Sequence, residues 1–98
     1  MSQRQPAIYI VTNKRGGTLY TGVTSNLSKR IWEHKNGINK GFTSKYGCNI
    51  LVYYEDFDEM EYAIHREEQI KAGSRADKLK LINDFNPQWQ DFYGHICS

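Results

Sequence analysis

Ninety-eight residues, 39% of them hydrophobic, suffice for one modest core, and two cysteines (Cys48 and Cys97) in no metal-ligand or redox spacing exclude a thiolate metal centre or a disulfide scaffold. No leader pattern or long apolar run is present, which predicts a reduced, soluble, cytoplasmic protein and no membrane partner. The formal charge of +2 hides a split: residues 1–50 carry eight Lys/Arg against the single acid Glu33, a net +7, whereas residues 51–98 carry five against ten, a net −5. The first half would attract an anionic polymer such as nucleic acid, unless the halves interleave in the fold and cancel.

Met1 to Pro6 is polar and expected to fray, which leaves residues 7–95 as a single domain. Ala7 to Thr12 and Thr18 to Val23 are rich in β-branched and aromatic residues and flank Asn-Lys-Arg-Gly-Gly, so they predict a hairpin whose glycine supplies positive φ. A four-residue loop, Asn13 to Gly16, pairs Thr12 with Gly17 and sets Tyr9 opposite Tyr20, both phenols on one face. A five-residue loop would part them. On residues alone this could be a plain cross-strand aromatic pair. Gly22 shares that face and leaves room for another group to approach the backbone.

Thr24-Ser25-Asn26 offers N-caps for a helix over Leu27 to Asn36, which Gly37 ends. Leu27 and Ile31 form its buried stripe; Arg30 and His34, four apart, lie together on the flank near the tyrosines. Asn39 to Asn49 reads as a long connection. Its Lys40 and Lys45 with Phe42 and Tyr46 suit phosphate contact and base stacking, although the two aromatics suit anchoring to the core equally well. With Lys14, Arg15 and Lys29 they make up the expected nucleic-acid contacts.

Ile50 to Glu55 predicts a third strand. Asp58, with Glu61 at N3, is expected to cap a helix over Glu59 to Ala72 with Met60, Ala63, Ile64 and Ile70 as its apolar stripe. Glu67 sits in the middle of that stripe. A carboxylate there costs several kcal/mol unless it is paired or bound to a metal. A salt bridge to Arg30 or Lys71 would satisfy it. So would one divalent cation whose shell is completed by water and a substrate phosphate, as suits Mg²⁺. Gly73 ends the helix, and Ser74 with Asp77 opens another with Leu79, Ile82 and Phe85 inward, stopped at Asn86-Pro87. Trp89, Phe92 and Tyr93 predict a short closing turn on the core, and Asn86 reads as an ordinary cap residue.

In this order and spacing, the residues resemble the GIY-YIG nuclease family. Ile8-Tyr9 matches the end of its first motif, and Tyr20 and Gly22 the ends of its second. Arg30 follows Tyr20 by ten residues, as the family's arginine does. His34 matches a His/Tyr position, Ala-Ile-His-Arg-Glu-Glu-Gln-Ile-Lys the metal-binding helix with Glu67 as ligand, and Asn86 the late asparagine. Ala7 replaces the first glycine, Thr21 replaces isoleucine, and Val23 stands where some repair enzymes carry lysine. The resemblance covers nearly the whole chain and is greatest to the small stand-alone bacterial members. It implies an α+β fold, a three-stranded antiparallel sheet flanked by three to four helices. It also implies a metal-dependent endonuclease acting on DNA, with repair or processing of structured DNA as its setting and one Mg²⁺ or Mn²⁺ on Glu67. Arg30 would grip a non-bridging oxygen, and one of Tyr9 and Tyr20, made phenolate by Arg30 and the metal, would orient or deprotonate water. His34 would be the alternative base, and Asn86 would bond a tyrosine, the metal water or the phosphate. The alternative is a nucleic-acid-binding module without turnover.

Overall fold

A computed structural model describes residues 5–38 and 41–97. Strands β1 (Ala7–Thr12), β2 (Leu19–Thr24) and β3 (Ile50–Asp56) form an antiparallel sheet in the order β2-β1-β3. Helices α1 (Leu27–Lys35), α2 (Phe42–Tyr46), α3 (Met60–Ala72), α4 (Arg75–Phe85) and α5 (Tyr93–Ile96) complete this α+β fold. None of the described helices is long and apolar enough to cross a membrane.

β1 is buried along its whole length, because helices cover both faces of the sheet. Ala7, Tyr9 and Val11 point to one side with Leu27 and Ile31 of α1 and Leu51; Ile8 and Ile10 point to the other, against Ala63, Ile70 and Ile82 of α3 and α4. β3 serves both cores through a bulge. Ile10 pairs with Tyr53 but Val11 pairs with Leu51, so Val52 is an inserted residue and turns with Tyr53 towards the α3–α4 side.

The β1–β2 register departs from the four-residue loop expected above. Thr12 pairs with Leu19 and Tyr9 with Gly22, which leaves residues 13–18 as a six-residue loop. Polar groups set this length: Asn13 Oδ1 accepts from Thr18 N, Gly17 N donates to Lys14 O, and Gly16 takes φ +69°. Two added residues preserve parity, so Tyr9 and Tyr20 still share a face. Arg75 Nη2 holds the turn from outside, donating to the carbonyls of Gly16 and Gly17 at 2.8 Å.

Two helices, α1 and α4, start on a side-chain cap, and α2, α3 and α5 do not. Asn26 caps α1 through its side chain, and Ser74 with Asp77 forms the full capping box of α4. For α3 the N-cap is Glu59, not Asp58, and no side chain bonds there. Ile64 and Phe85, expected inward, are largely exposed, but Phe85 stacks edge-on against Tyr53, Tyr54 and Phe92. Within the long connection α2 takes up five residues, ended by Gly47 at φ +67°. Near the N-terminus Gln5 N bonds Ser25 O and Phe57 N bonds Pro6 O, so the chain is tied down just before β1.

Candidate active site

Tyr9 is the centre of the polar cluster, and its position follows from the register. Opposite it lies Gly22, and a β-carbon built there would stand 2.4 Å from Tyr9 Oη. The space that Gly22 leaves open is therefore filled by the phenol of the facing strand. Tyr9 is 1% exposed, and burial pushes its pKa up to about 12 against the opposing pull of Arg30. Glu67 and Tyr20 push in the same upward direction, so Tyr9 is held as a neutral phenol. Desolvation of Tyr9 outweighs the guanidinium, so Arg30 alone, without a metal beside it, does not make it phenolate.

Two groups of α1 converge on that phenol. Arg30 Nε donates to Tyr9 Oη at 3.3 Å, and His34 Nε2 lies 2.9 Å from the same oxygen. The spacing of four places both on one side of α1. Arg30 Nη1 is also paired with Glu33 at 3.2 Å. His34, expected on the flank, is buried at 7% exposure, and its Nδ1 lies 3.0 Å from Thr43 Oγ1. Burial, and then Arg30, lower its pKa to about 4, so it is neutral at pH 7. One proton arrangement satisfies every group: Arg30 donates to Tyr9, Tyr9 donates to His34 Nε2, and His34 Nδ1–H donates to Thr43. Thr43, itself buried, was missed by the sequence reading. Its only signal was the short Phe-Thr-Ser-Lys-Tyr run between two glycines.

Tyr20 completes the group on its more open side. Its ring centroid lies 6.5 Å from that of Tyr9 and 6.0 Å from that of His34. Beyond it, Phe42 lies at 5.9 Å, and Tyr46 stacks 4.7 Å from Phe42. Phe42 and Tyr46 are both about half exposed, and Lys45 Nζ stands 5.4 Å over the Tyr46 ring. An aromatic path thus leads from the tyrosine pair to the surface, ending under a cation.

Glu67 has the expected environment and a partner. Its side chain is 14% exposed and pairs with Lys71, one turn later, at 3.1 Å. Among the described residues no three His, Cys, Asp or Glu side chains gather as a metal site. A structural zinc site is therefore not matched, whereas a single, largely buried carboxylate whose charge reaches Tyr9 fits Mg²⁺ or Mn²⁺ completed by water and a phosphate.

Asn86 is the C-cap of α4, in line with its reading as a cap residue, and its amide bonds backbone groups rather than a tyrosine. It is 3% exposed, its Nδ2 donates to Val52 O at 3.1 Å and Gln90 O at 2.8 Å, and its Oδ1 accepts from Gln90 N. The amide fastens the end of α4 to the bulge of β3. Of the expected nucleic-acid contacts, Lys14, Arg15, Lys29 and Lys45 are exposed, and Lys40 lies outside the described residues.

Comparison with known proteins bears on the family and the fold. Residues 5–82 match the model of the GIY-YIG catalytic domain. A UPF0213 protein of Staphylococcus saprophyticus is 46% identical over 77 residues, covering 79% of this chain and 93% of that protein. One from Clostridium perfringens is 43% identical over 76 residues, covering 78% and 81%. The solution NMR structure of a UPF0213 protein from Bacillus halodurans superposes with a TM-score of 0.56 at 28% identity, covering 89% of this chain and 92% of that one. The family model spans most of the chain, and the Staphylococcus and Clostridium relatives cover most of it at 46% and 43% identity, so the chain belongs to the GIY-YIG family, alongside its small UPF0213 members.

Proposed function

We propose that the chain is a metal-dependent endonuclease that hydrolyses phosphodiester bonds in DNA. The observation that carries this reading is the convergence of Arg30 Nε and His34 Nε2 on one phenolic oxygen, seated over Gly22 and beside Tyr20. A plain aromatic pair needs neither a buried histidine nor a guanidinium.

In this reading Glu67 holds the ion, and Mg²⁺ or Mn²⁺ when bound supplies electrostatic stabilisation of the phosphoryl and leaving oxygens. Arg30, fixed by Tyr9 and Glu33, forks onto a non-bridging oxygen, where growing negative charge strengthens the contact in the transition state. Tyr20, the half-buried ring of the pair, orients the attacking water. His34 is the proton acceptor. Its neutral Nε2 takes the Tyr9 proton as Tyr9 Oη takes one from water, so the buried phenol relays and never has to exist free as phenolate. A protonated His34 beside Arg30 is unfavourable, so it gives its proton back to Tyr9 Oη as Tyr9 passes its own to the leaving oxygen, which restores both groups. The exposed Lys14, Arg15, Lys29 and Lys45 contact backbone phosphates, and Asn86 secures the scaffold.

Labelled single-stranded, duplex, flap and branched DNA, incubated with the purified protein in Mn²⁺ or in EDTA, tests the reading. Cleavage of at least one substrate that needs the metal is expected. Binding of the panel without any metal-dependent product would overturn it.

A further inference from the structure

We propose that the cavity between β2, α2 and the α3–α4 corner is a second phosphate subsite, which takes the sugar-phosphate unit next to the bond that is cut. This rests on the nuclease reading of the adjoining site. Leu19, Tyr20, Thr21, Phe42, Lys71 and Lys78 line a cavity of about 310 Å³, a size that suits one nucleotide unit.

Three observations define its chemistry. Two lysines line it from different helices and no acidic residue does, which favours an anionic occupant. Lys71 uses one N–H on Glu67 and Lys78 uses one on Gly73 O at 2.8 Å, and an ammonium has three. Next, Thr21 is 5% exposed and its Oγ1 is the one buried side-chain polar atom without a hydrogen-bond partner among the described residues. A buried hydroxyl left unpaired is unfavourable, and turning it towards an oxygen-rich ligand in the cavity would give it a partner. Finally, Leu19 and the Phe42 ring form an apolar wall against which a deoxyribose packs.

Position says which unit it is. Tyr20 belongs to both the cavity and the aromatic cluster, and Lys71 joins the cavity to Glu67, so the occupant lies one side chain from each. Two successive phosphates held this way fix which bond faces Arg30. Thr21, where the family motif has isoleucine, gives this chain a donor that the motif lacks.

Thr21→Val and Lys78→Gln test the subsite, with thymidine 5′-monophosphate and inorganic phosphate as separate probes on EDTA-treated protein. Amide shifts on adding the nucleotide should centre on Leu19, Thr21, Lys71 and Lys78, with weaker ones for inorganic phosphate. Thr21→Val should raise the unfolding midpoint yet weaken nucleotide binding, an opposition that a structural role would not produce. Lys78→Gln should make the slope of log K against log salt for a labelled oligonucleotide shallower by about 0.7–0.9, one phosphate contact. With metal it should raise KM. Shifts centred elsewhere, or wild-type binding by both variants, would overturn the subsite even if cleavage is intact. Nucleotide binding in the cavity without cleavage of any DNA would support the subsite and sink the nuclease reading instead.

Discussion

Tyr9 stands opposite Gly22 in the β1–β2 ladder, and its hydroxyl occupies the volume that a β-carbon at position 22 would take, 2.4 Å away. Gly22 is not in the left-handed region of φ, so its requirement is steric and comes from the facing ring. Gly22→Ala should push the phenol out of reach of Arg30 and His34. Overpacking of this kind costs about 1–3 kcal/mol. Urea unfolding should register that loss, and cleavage should fall much further than the loss of folded protein accounts for.

Removing only the hydroxyl separates packing from chemistry. Tyr9→Phe keeps the ring in its slot but leaves His34 Nε2 and Arg30 Nε without their shared partner. The expected stability loss is about 1–3 kcal/mol, the cost of unpaired buried groups. Loss of the relay should lower kcat by roughly 10²–10⁴-fold, the usual worth of a positioned acid or base. Wild-type kcat in this variant would remove Tyr9 from the reaction.

The histidine gives a pH signature with a definite sign. Burial and Arg30 lower the folded pKa of His34 to about 4, below its ordinary 6.5. Between those values the unfolded chain holds a proton that the folded chain does not. The His34 contribution is therefore fully present above about pH 6.5, declines as pH falls, and is lost once pH passes through about 4, a total of roughly 3 kcal/mol. Denaturant midpoints across that range should show the slope, and His34→Gln, which has no charge to gain, should flatten it.

Asn86 is predicted to matter for stability alone. Its amide makes three bonds between the end of α4, Gln90 and the Val52 carbonyl. Asn86→Ala should cost about 1–3 kcal/mol by leaving buried backbone groups unpaired. At a temperature where the variant is fully folded, its kcat should match the wild type. A large drop in kcat there would give Asn86 a direct part in the reaction.

Much of this arrangement was legible in the residues, and the gaps have physical causes. Alternation in β1 and β2 put Tyr9 and Tyr20 on one face, and that conclusion survived the shifted register because the loop changed by an even number of residues. The loop length itself was hidden, since it depends on Asn13 bonding Thr18 rather than on glycine content. Helical spacing paired Arg30 with His34 but could not show which of them would be buried, because Thr43 closes over the imidazole from a helix only five residues long. Periodicity placed Glu67 on the inner face and named Lys71 as one possible partner. The role of Asn86 depended on a bulge in β3, which pairing patterns do not reveal in advance.

The most direct test compares wild type with Glu67→Ala under single-turnover conditions, on a DNA substrate that the wild type cuts in Mn²⁺, with binding measured in parallel by fluorescence anisotropy. Glu67 is largely shielded and its ion-pair partner Lys71 is half exposed, so the fold should tolerate its loss. The account predicts that cleavage disappears while DNA affinity in EDTA and the unfolding midpoint stay close to wild type. Metal-dependent cleavage at the wild-type rate in Glu67→Ala would contradict it.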